Sequence, residues 1–317
     1  MFSLLGRASA RIVFKPASPP SALRLVIEDP YHLTGDSVQW FKGNLDLASS
    51  WASGKDLPRT LAEYYRSHGY QFLGIADSNT YTWAEAYQSR SLTGIPTIKA
   101  SYPFGDVLAL DMDHWLAASD LQGAVDWIVQ DGGLPIIAAP YWHEKPGVAE
   151  IVPSLRHLFG IEIYNARVAA LAKDEADATP LWDDLLTHGN HVYGFAGDDV
   201  RSLRGIGSPA TQGQAWVAVL APSPERESLL MSFRRGAFFA STGPSFTQLR
   251  LRGQTLLVEA QNGERLRFIG KGGKLLATAA GGSGSYEITG GEGYVRVEAL
   301  ASDGARAWSQ PYFLAWQ

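Results

Sequence analysis

The stretch Trp40–Asn79, WFKGNLDLASSWASGKDLPRTLAEYYRSHGYQFLGIADSN, decides how this chain of 317 residues is read. Gly43 to Leu47 reads as a strand. Pro58 suits the first turn of a helix, where its fixed φ is already helical and its missing N–H has no partner to lose. Apolar positions follow at Leu61, Tyr64, Tyr65 and Tyr70, the spacing of one buried helix face. Phe72 to Ala76 is a second strand, and it runs straight into Asp77.

The same alternation continues on the C-terminal side, from about 38 to 205. Ile95 to Ala100 and Asp106 to Leu110 read as a strand pair. Leu121 to Gln130 is helical and closes on Asp131-Gly132-Gly133, a glycine stop. Pro135 to Ala138, Gly160 to Tyr164 and Val192 to Ala196 are short buried strands, with a helix in LWDDLLTHG before the last. Alternating strands and helices predict an α/β domain with a mostly parallel sheet, here closed into a barrel.

Near residue 236 the period falls to two. AFFAST, TQLRLR, QTLLVEA, RLRFIG, YVRVEAL and PYFLAW alternate, separated by turns such as Gly270-Lys271-Gly272-Gly273. That is the pattern of an all-β antiparallel sandwich. Two further β-like runs, ARIVF and ALRLVIE, lie between 9 and 28, split by PASPPS. The expected division is N-terminal strands in 1–37 packed on the sandwich, a barrel in 38–235 and the sandwich in 236–317. The glycine-rich stretches are hairpin turns, since none opens a helix and none ends in Gly-Lys-Ser/Thr.

Composition narrows the function. Charged residues make up 19% and hydrophobic ones 45%, as in a globular chain. A net charge of -5 argues against a nucleic-acid partner, which needs a basic stripe. With no cysteine, disulfides, thiolate metal sites and a cysteine nucleophile are all excluded. The start, MFSLLGRASARIVFKP, has an apolar run too short for a secretory signal. No run approaches a membrane span, so the expectation is a soluble, cytoplasmic protein with no membrane partner.

Gly43-Asn44-Leu45-Asp46-Leu47-Ala48-Ser49 and Ala76-Asp77-Ser78-Asn79, framing a helix, resemble the polymerase and histidinol phosphatase (PHP) family. There the patterns are Gly-Asp-Leu-His-x-His-Ser and Thr-Asp-His-Asn. The tail, through Ala240-Ser241-Thr242-Gly243-Pro244-Ser245 and Ala307-Trp308-Ser309-Gln310-Pro311, resembles the immunoglobulin-like module attached to some of these proteins. The resemblance implies a distorted (β/α)7 TIM-like barrel followed by an immunoglobulin-like sandwich. It also implies a metal-dependent phosphoesterase ancestry, with nine side chains at the strand ends binding two or three divalent metals. Carried over residue by residue, the first two histidines become Asp46 and Ala48. The next pair becomes Asp77 and Ser78. The bridging glutamate becomes Lys99, the following histidine Asp106, and a later one Ala139. The closing pair becomes Asp199 and Arg201. Only Asp77 and Asp199 keep the family residue.

Lys99 and Arg201 are cations at former ligand positions, and neither is a usual ligand for Zn, Mn or Mg. The expectation is therefore a salt-bridge network around Asp77 and Asp199 in place of the metals, and no cofactor. The chain then reads as a catalytically impaired binding or scaffold protein with an anion pocket at the barrel mouth. Lys99, Arg201 and Ser78 would anchor a small anionic or sugar-like ligand between Trp51, Trp83 and Trp142. The alternative is a divalent-metal phosphoesterase holding Mn, Mg or Zn on Asp46, Asp77, Asp106 and Asp199, with Lys99 and Arg201 clamping phosphate. His143, beyond the strand that ends at Ala139-Pro140, is the candidate general acid. Glu162 and Asn165 are expected to be structural hydrogen bonders, and a protein partner at the sandwich is left open.

Overall fold

A computed structural model describes residues 23–33, 38–114 and 117–317. It is a mixed α/β structure rich in sheet. The first strands are β1 (Leu25–Glu28), β2 (Gln39–Leu47), β3 (Phe72–Ile75), β4 (Thr93–Gly94), β5 (Thr97–Tyr102) and β6 (Gly105–Leu110). Then come β7 (Leu134–Ala138), β8 (Gly160–Asn165), β9 (Tyr193–Gly197), β10 (Trp216–Ala221) and β11 (Phe238–Ser241). Helices α1 (Pro58–Ser67), α2 (Leu121–Gln130), α3 (Val148–Ile151), α4 (Ala166–Leu171), α5 (Thr179–Thr187) and α6 (Arg226–Arg234) are interleaved with them. The C-terminal region is β throughout: β12 (Ser245–Arg252), β13 (Thr255–Gln261), β14 (Arg265–Gly270), β15 (Lys274–Ala280), β16 (Ser283–Glu287), β17 (Tyr294–Leu300), β18 (Arg306–Ser309) and β19 (Tyr312–Trp316). Among the described residues no helix is long and apolar enough to cross a membrane.

Local chemistry explains the elements that frame the site. α1 starts at Pro58 and turns Leu61, Ala62 and Tyr65 inward. Asp120 caps α2 by accepting from the Gly123 N–H at 2.7 Å. The Asn165 side chain caps α4 through the Val168 N–H at 3.0 Å, so the chain leaves β8 and enters a helix at once. β2 lies tight on β3: a Cβ at Gly43 would stand 2.2 Å from the Phe72 ring.

The strands form a ring. β2 and β3 are parallel, and β5 to β9 follow in order, antiparallel up to β7 and parallel from there. Two isolated parallel bridges join these sets, Ser78 to Lys99 and Leu47 to Val200. The ladder therefore runs from β3 into β5 and, just past β9, returns to β2.

The ring does not end cleanly at the second region. Between 206 and 235, where the sequence pattern marks no individual element, lie β10 and α6. β10 pairs with β2 on one side and β11 on the other. β11 continues to β18, β17, β19 and β1, making one 11-stranded sheet. β10 shows no alternation because nearly all of it is buried, which removes the period-two signal. The ALRLVIE run supplies β1, paired with β19. The ARIVF run lies outside the described residues.

A three-stranded sheet, β12-β13-β16, faces the long one across a core that includes Phe239, Phe246, Leu256, Phe268 and Val297. Polar contacts tie this region to the ring. Gln310 exchanges two hydrogen bonds with the Gly194 backbone, at 2.9 and 2.8 Å. Arg296 on β17 is fully buried and grips Asp183 of α5 with two bonds of 2.8 Å. It also donates to Glu298 at 2.7 Å and lies over the Trp182 ring. The Tyr294 hydroxyl donates to Asp183 at 2.7 Å.

Removing one member of a buried ion pair strands the other. Arg296→Ala is therefore expected to lower the unfolding free energy by about 3–5 kcal/mol, measured by urea denaturation. A loss under about 1 kcal/mol, the range of an exposed pair, would show that the contact does not join the two regions.

Candidate functional site at the strand ends

The ring collects charged side chains from several of its strands. Asp46 comes from β2, Lys99 from β5 and Glu162 from β8, while Asp199 follows β9. The Lys99 ammonium sits 2.6 Å from Asp46 Oδ1 and 3.1 Å from Asp199 Oδ1, with these side chains only 5%, 1% and 6% exposed. The bond to Asp199 is a hydrogen bond. The contact with Asp46 is a charge pair that lacks hydrogen-bond geometry, and both Asp46 oxygens are buried without a hydrogen-bond partner.

The backbone makes this convergence possible. A Cβ at Gly197 would meet Glu162 Oε1 at 2.7 Å and Asp46 Cβ at 3.1 Å. Asp199 adopts a left-handed φ of 44°, which aspartate tolerates better than most residues. Its neighbour Asp198 anchors the segment, accepting from the backbone N–H groups of Gly213, Gln214 and Ala215 and from the Tyr65 hydroxyl. Ala139, at the end of β7, also has positive φ, 40°. Its N–H donates to Glu162 Oε2 at 3.0 Å, as does the Asn165 amide at 3.0 Å. Glu162 Oε1 keeps no partner.

Two guanidinium groups flank Asp199. Arg167 Nη1 lies 3.6 Å from Oδ2, and Arg201 Nε lies 3.7 Å from Oδ1. Arg167 also stands over the Trp142 ring at 5.7 Å. The Nε atoms of both arginines are buried without a hydrogen-bond partner.

Titration follows from burial and neighbours. Burial pushes the Asp46 carboxyl up to about 6, against the pull of Lys99. Burial, reinforced by Asp46, raises Glu162 well above the usual carboxylate range. Burial opposes ionisation of Asp199 too, but Lys99, Arg201 and Arg167 outweigh it and hold its carboxyl low. Burial likewise disfavours the Lys99 charge, yet Asp199 and Asp46 overcome that and raise its pKa. Three cations (Lys99, Arg167 and Arg201) thus gather around Asp46, Asp199 and Glu162, whose burial works against their charges.

Lys99 and Arg201 do pair with Asp199, but Asp46 stands where Asp77 was expected. Asp77 accepts from the Ser49 N–H at 2.6 Å and from the Ser49 and Thr82 hydroxyls. Its lone pairs are thus filled locally, and Ser49 spends its hydroxyl there. Asp106 is also drawn aside, accepting from Ser101 Oγ at 2.6 Å and pairing with Lys145 at 3.2 Å. Ser78 meets Lys99 through the backbone bridge. Trp51 and Trp83 are 41% and 61% exposed, with ring centroids 5.7 Å apart. Trp142 is buried, its indole N–H on Glu144 at 3.0 Å. His143 Nδ1 lies 2.8 Å from Glu175 Oε2, and its ring leans on Trp142. It therefore stands one ring beyond Arg167. The sequence reading misses Arg167, although its place in the first turn after the β8 strand end was a usable signal.

A divalent metal does not fit these residues as they stand. Among the described residues, no group of three or more His, Cys, Asp or Glu side chains is arranged to hold one. The position between Asp46 and Asp199 that a shared cation would take is filled by the ammonium. A surface groove of about 590 Å3, which carries Arg59, Arg66 and Arg90, shares no residue with this cluster.

No protein-family profile matches the chain, and no curated protein does. Among solved structures, it is similar to a two-domain protein from Bacteroides vulgatus containing a predicted PHP-like metal-dependent phosphoesterase. The match covers 95% of this chain and 100% of that one, at 12% identity and a TM-score of 0.45. An amidohydrolase from Chromobacterium violaceum, with bound sulfate and no metal, matches 50% of this chain and 87% of its own, at 12% identity and a TM-score of 0.35. Similarities this distant carry no information about chemistry.

Lys99→Met keeps the apolar stem and removes the charge, leaving Asp46 and Asp199 buried against each other. It is expected to cost about 3–5 kcal/mol of stability, read by urea denaturation. An unchanged midpoint would show that these carboxylates do not rely on the ammonium.

Proposed function

We propose that this chain is a PHP-like protein, a distorted TIM-like barrel joined to an immunoglobulin-like sandwich, that binds a small anion at the barrel mouth without a metal cofactor. The observation that carries this reading is the pair of buried, unpartnered Nε–H groups on Arg167 and Arg201. The Lys99 charge is taken up by Asp46 and Asp199 at closer range, whereas the Nε–H of each guanidinium makes no hydrogen bond and Asp199 lies 3.6 and 3.7 Å from the two groups. A guanidinium offers two parallel N–H bonds to a carboxylate, phosphate or sulfate.

The rest of the mouth suits a sugar-like body on that anion. The loop bearing Trp51 is tied to the Arg201 segment by the Ala48 N–H to Val200 and the Lys55 N–H to Arg201, both 2.8 Å. Trp51 and Trp83, whose rings meet each other, keep ring surface open to solvent, as stacking on a sugar requires. Ser78 offers a further hydroxyl. A second reading, a phosphoesterase with a rearranged carboxylate site, draws on the buried oxygens of Asp46 and Glu162 that make no hydrogen bond. In it, His143 would act as proton donor.

Calorimetric titration with inorganic phosphate and sulfate is expected to show one site per chain. Arg201→Ala and Arg167→Ala are each expected to weaken it at least about tenfold, the size of a lost charge-assisted hydrogen bond. Binding unaffected by either change would sink the anion site. Tightly held Mn, Mg or Zn in the purified protein, with hydrolysis of a phosphate ester, would establish the second reading instead.

A further inference from the structure

The groove that carries Arg59, Arg66 and Arg90 is walled by α1 and by the segment 85–92, with buried Ala62, Tyr87 and Leu92 in its lining. Fold stability accounts for only one of these arginines. Arg66 sits in the last turn of α1, where a cation suits the helix dipole. Arg59 sits in the first turn, which holds no acidic residue and where the dipole disfavours a cation. Arg90 occupies a tight turn closed by backbone bonds of 2.9 and 3.3 Å between Ser89 and Leu92, a place that favours glycine, asparagine or aspartate. The Tyr87 hydroxyl, donating to the Ile95 carbonyl at 3.0 Å, pins the approach to that turn. Arg59 reaches Glu63 at 3.6 Å on an open surface. The side chains of Arg66 and Arg90 make no ion pair among the described residues.

We propose that this groove docks an extended, acidic segment of a partner protein whose carboxylates stand three residues apart. Arg59 and Arg66 lie two turns apart on one face of α1, about 10 Å along the axis at roughly 1.5 Å per residue. A polyproline II segment has about three residues per turn and rises about 3.1 Å per residue, so side chains three apart share a side at about 9 Å. Two carboxylates at that spacing match the two arginines, and Arg90 adds a third cation from the opposite wall. Glu63 and Glu85, also in the lining, repel a continuous acidic run and so select for spaced carboxylates. Exposed charge pairs are individually weak and are screened by salt. The complex is therefore a transient, salt-sensitive one.

Fluorescence anisotropy with the capped peptide Gly-Glu-Pro-Ala-Glu-Gly, joined to an uncharged dye, reads the contact. Saturable binding is expected at about 50 mM salt and at least about threefold weaker binding at roughly 300 mM. Arg66→Ala and Arg90→Ala are surface changes that the fold tolerates. Each is expected to weaken binding about threefold, the size of an exposed charge pair, and the double variant about tenfold. A peptide of equal charge with its two glutamates adjacent is expected to bind less tightly, and one with glutamine in place of glutamate not at all. Four results would overturn the proposal. They are no saturation at millimolar peptide, equal binding by the double variant or of the glutamine peptide, indifference to glutamate spacing, and binding lost in Arg201→Ala, which would place the peptide at the barrel mouth. A wild-type dimer in sedimentation that the double variant cannot form would make a second copy the occupant and overturn it too.

Discussion

A single buried ammonium holds one end of the strand ring together. Taking a lysine out of water is expensive, and so is taking out the carboxylates around it. Neither would be tolerated alone. Lys99 is charged because Asp46 and Asp199 are there, and Asp199 stays ionised because Lys99, Arg201 and Arg167 are there. The cluster also has a geometric role. It ties the ends of β2 and β5 to the segment after β9, close to the two isolated bridges that carry the ladder around the ring. Charge pairing and strand closure thus reinforce each other at the same few residues.

The second constraint is continuity of the backbone ladder between regions. β10 has β2 on one flank and β11 on the other. Arg296, reaching from β17 into α5, adds a buried charge pair to this shared sheet, and Gln310 adds paired bonds to the β9 backbone. The helices and strands that place the cations are therefore braced from behind by a region that supplies none of them.

Much of this was legible in the chain. Pro58, the glycine stops and the change of period near 236 mark elements that fold where they were expected, because each signal is local. Leu121 to Gln130 is an example, with its Asp120 cap and apolar face. β10 was hidden for the opposite reason: burial on both faces erases alternation, and one of its partners, β2, is far away in sequence. In the site, cations at 99 and 201 could be read from the chain, and they do gather around Asp199. Which aspartate pairs with Lys99 could not be read. That choice depends on Ser49 and Thr82, whose hydroxyls fill Asp77 and leave Asp46 to the ammonium. Arg167 had only its place in the first turn after β8 to mark it, and the folded ring is what brings it to Asp199.

The placement of β10 also bears on how such a chain can change over generations. A strand shared by two neighbours cannot be inherited with only one of them. Any recombination break near residue 235 would leave one fragment with a bare sheet edge, open to self-association, and the other without the strand next to β11. Shuffling of intact modules, the usual route by which a β-rich appendage is gained or discarded, is closed at this junction. The two regions must drift together, and a substitution on either flank of β10 is tested by selection in both.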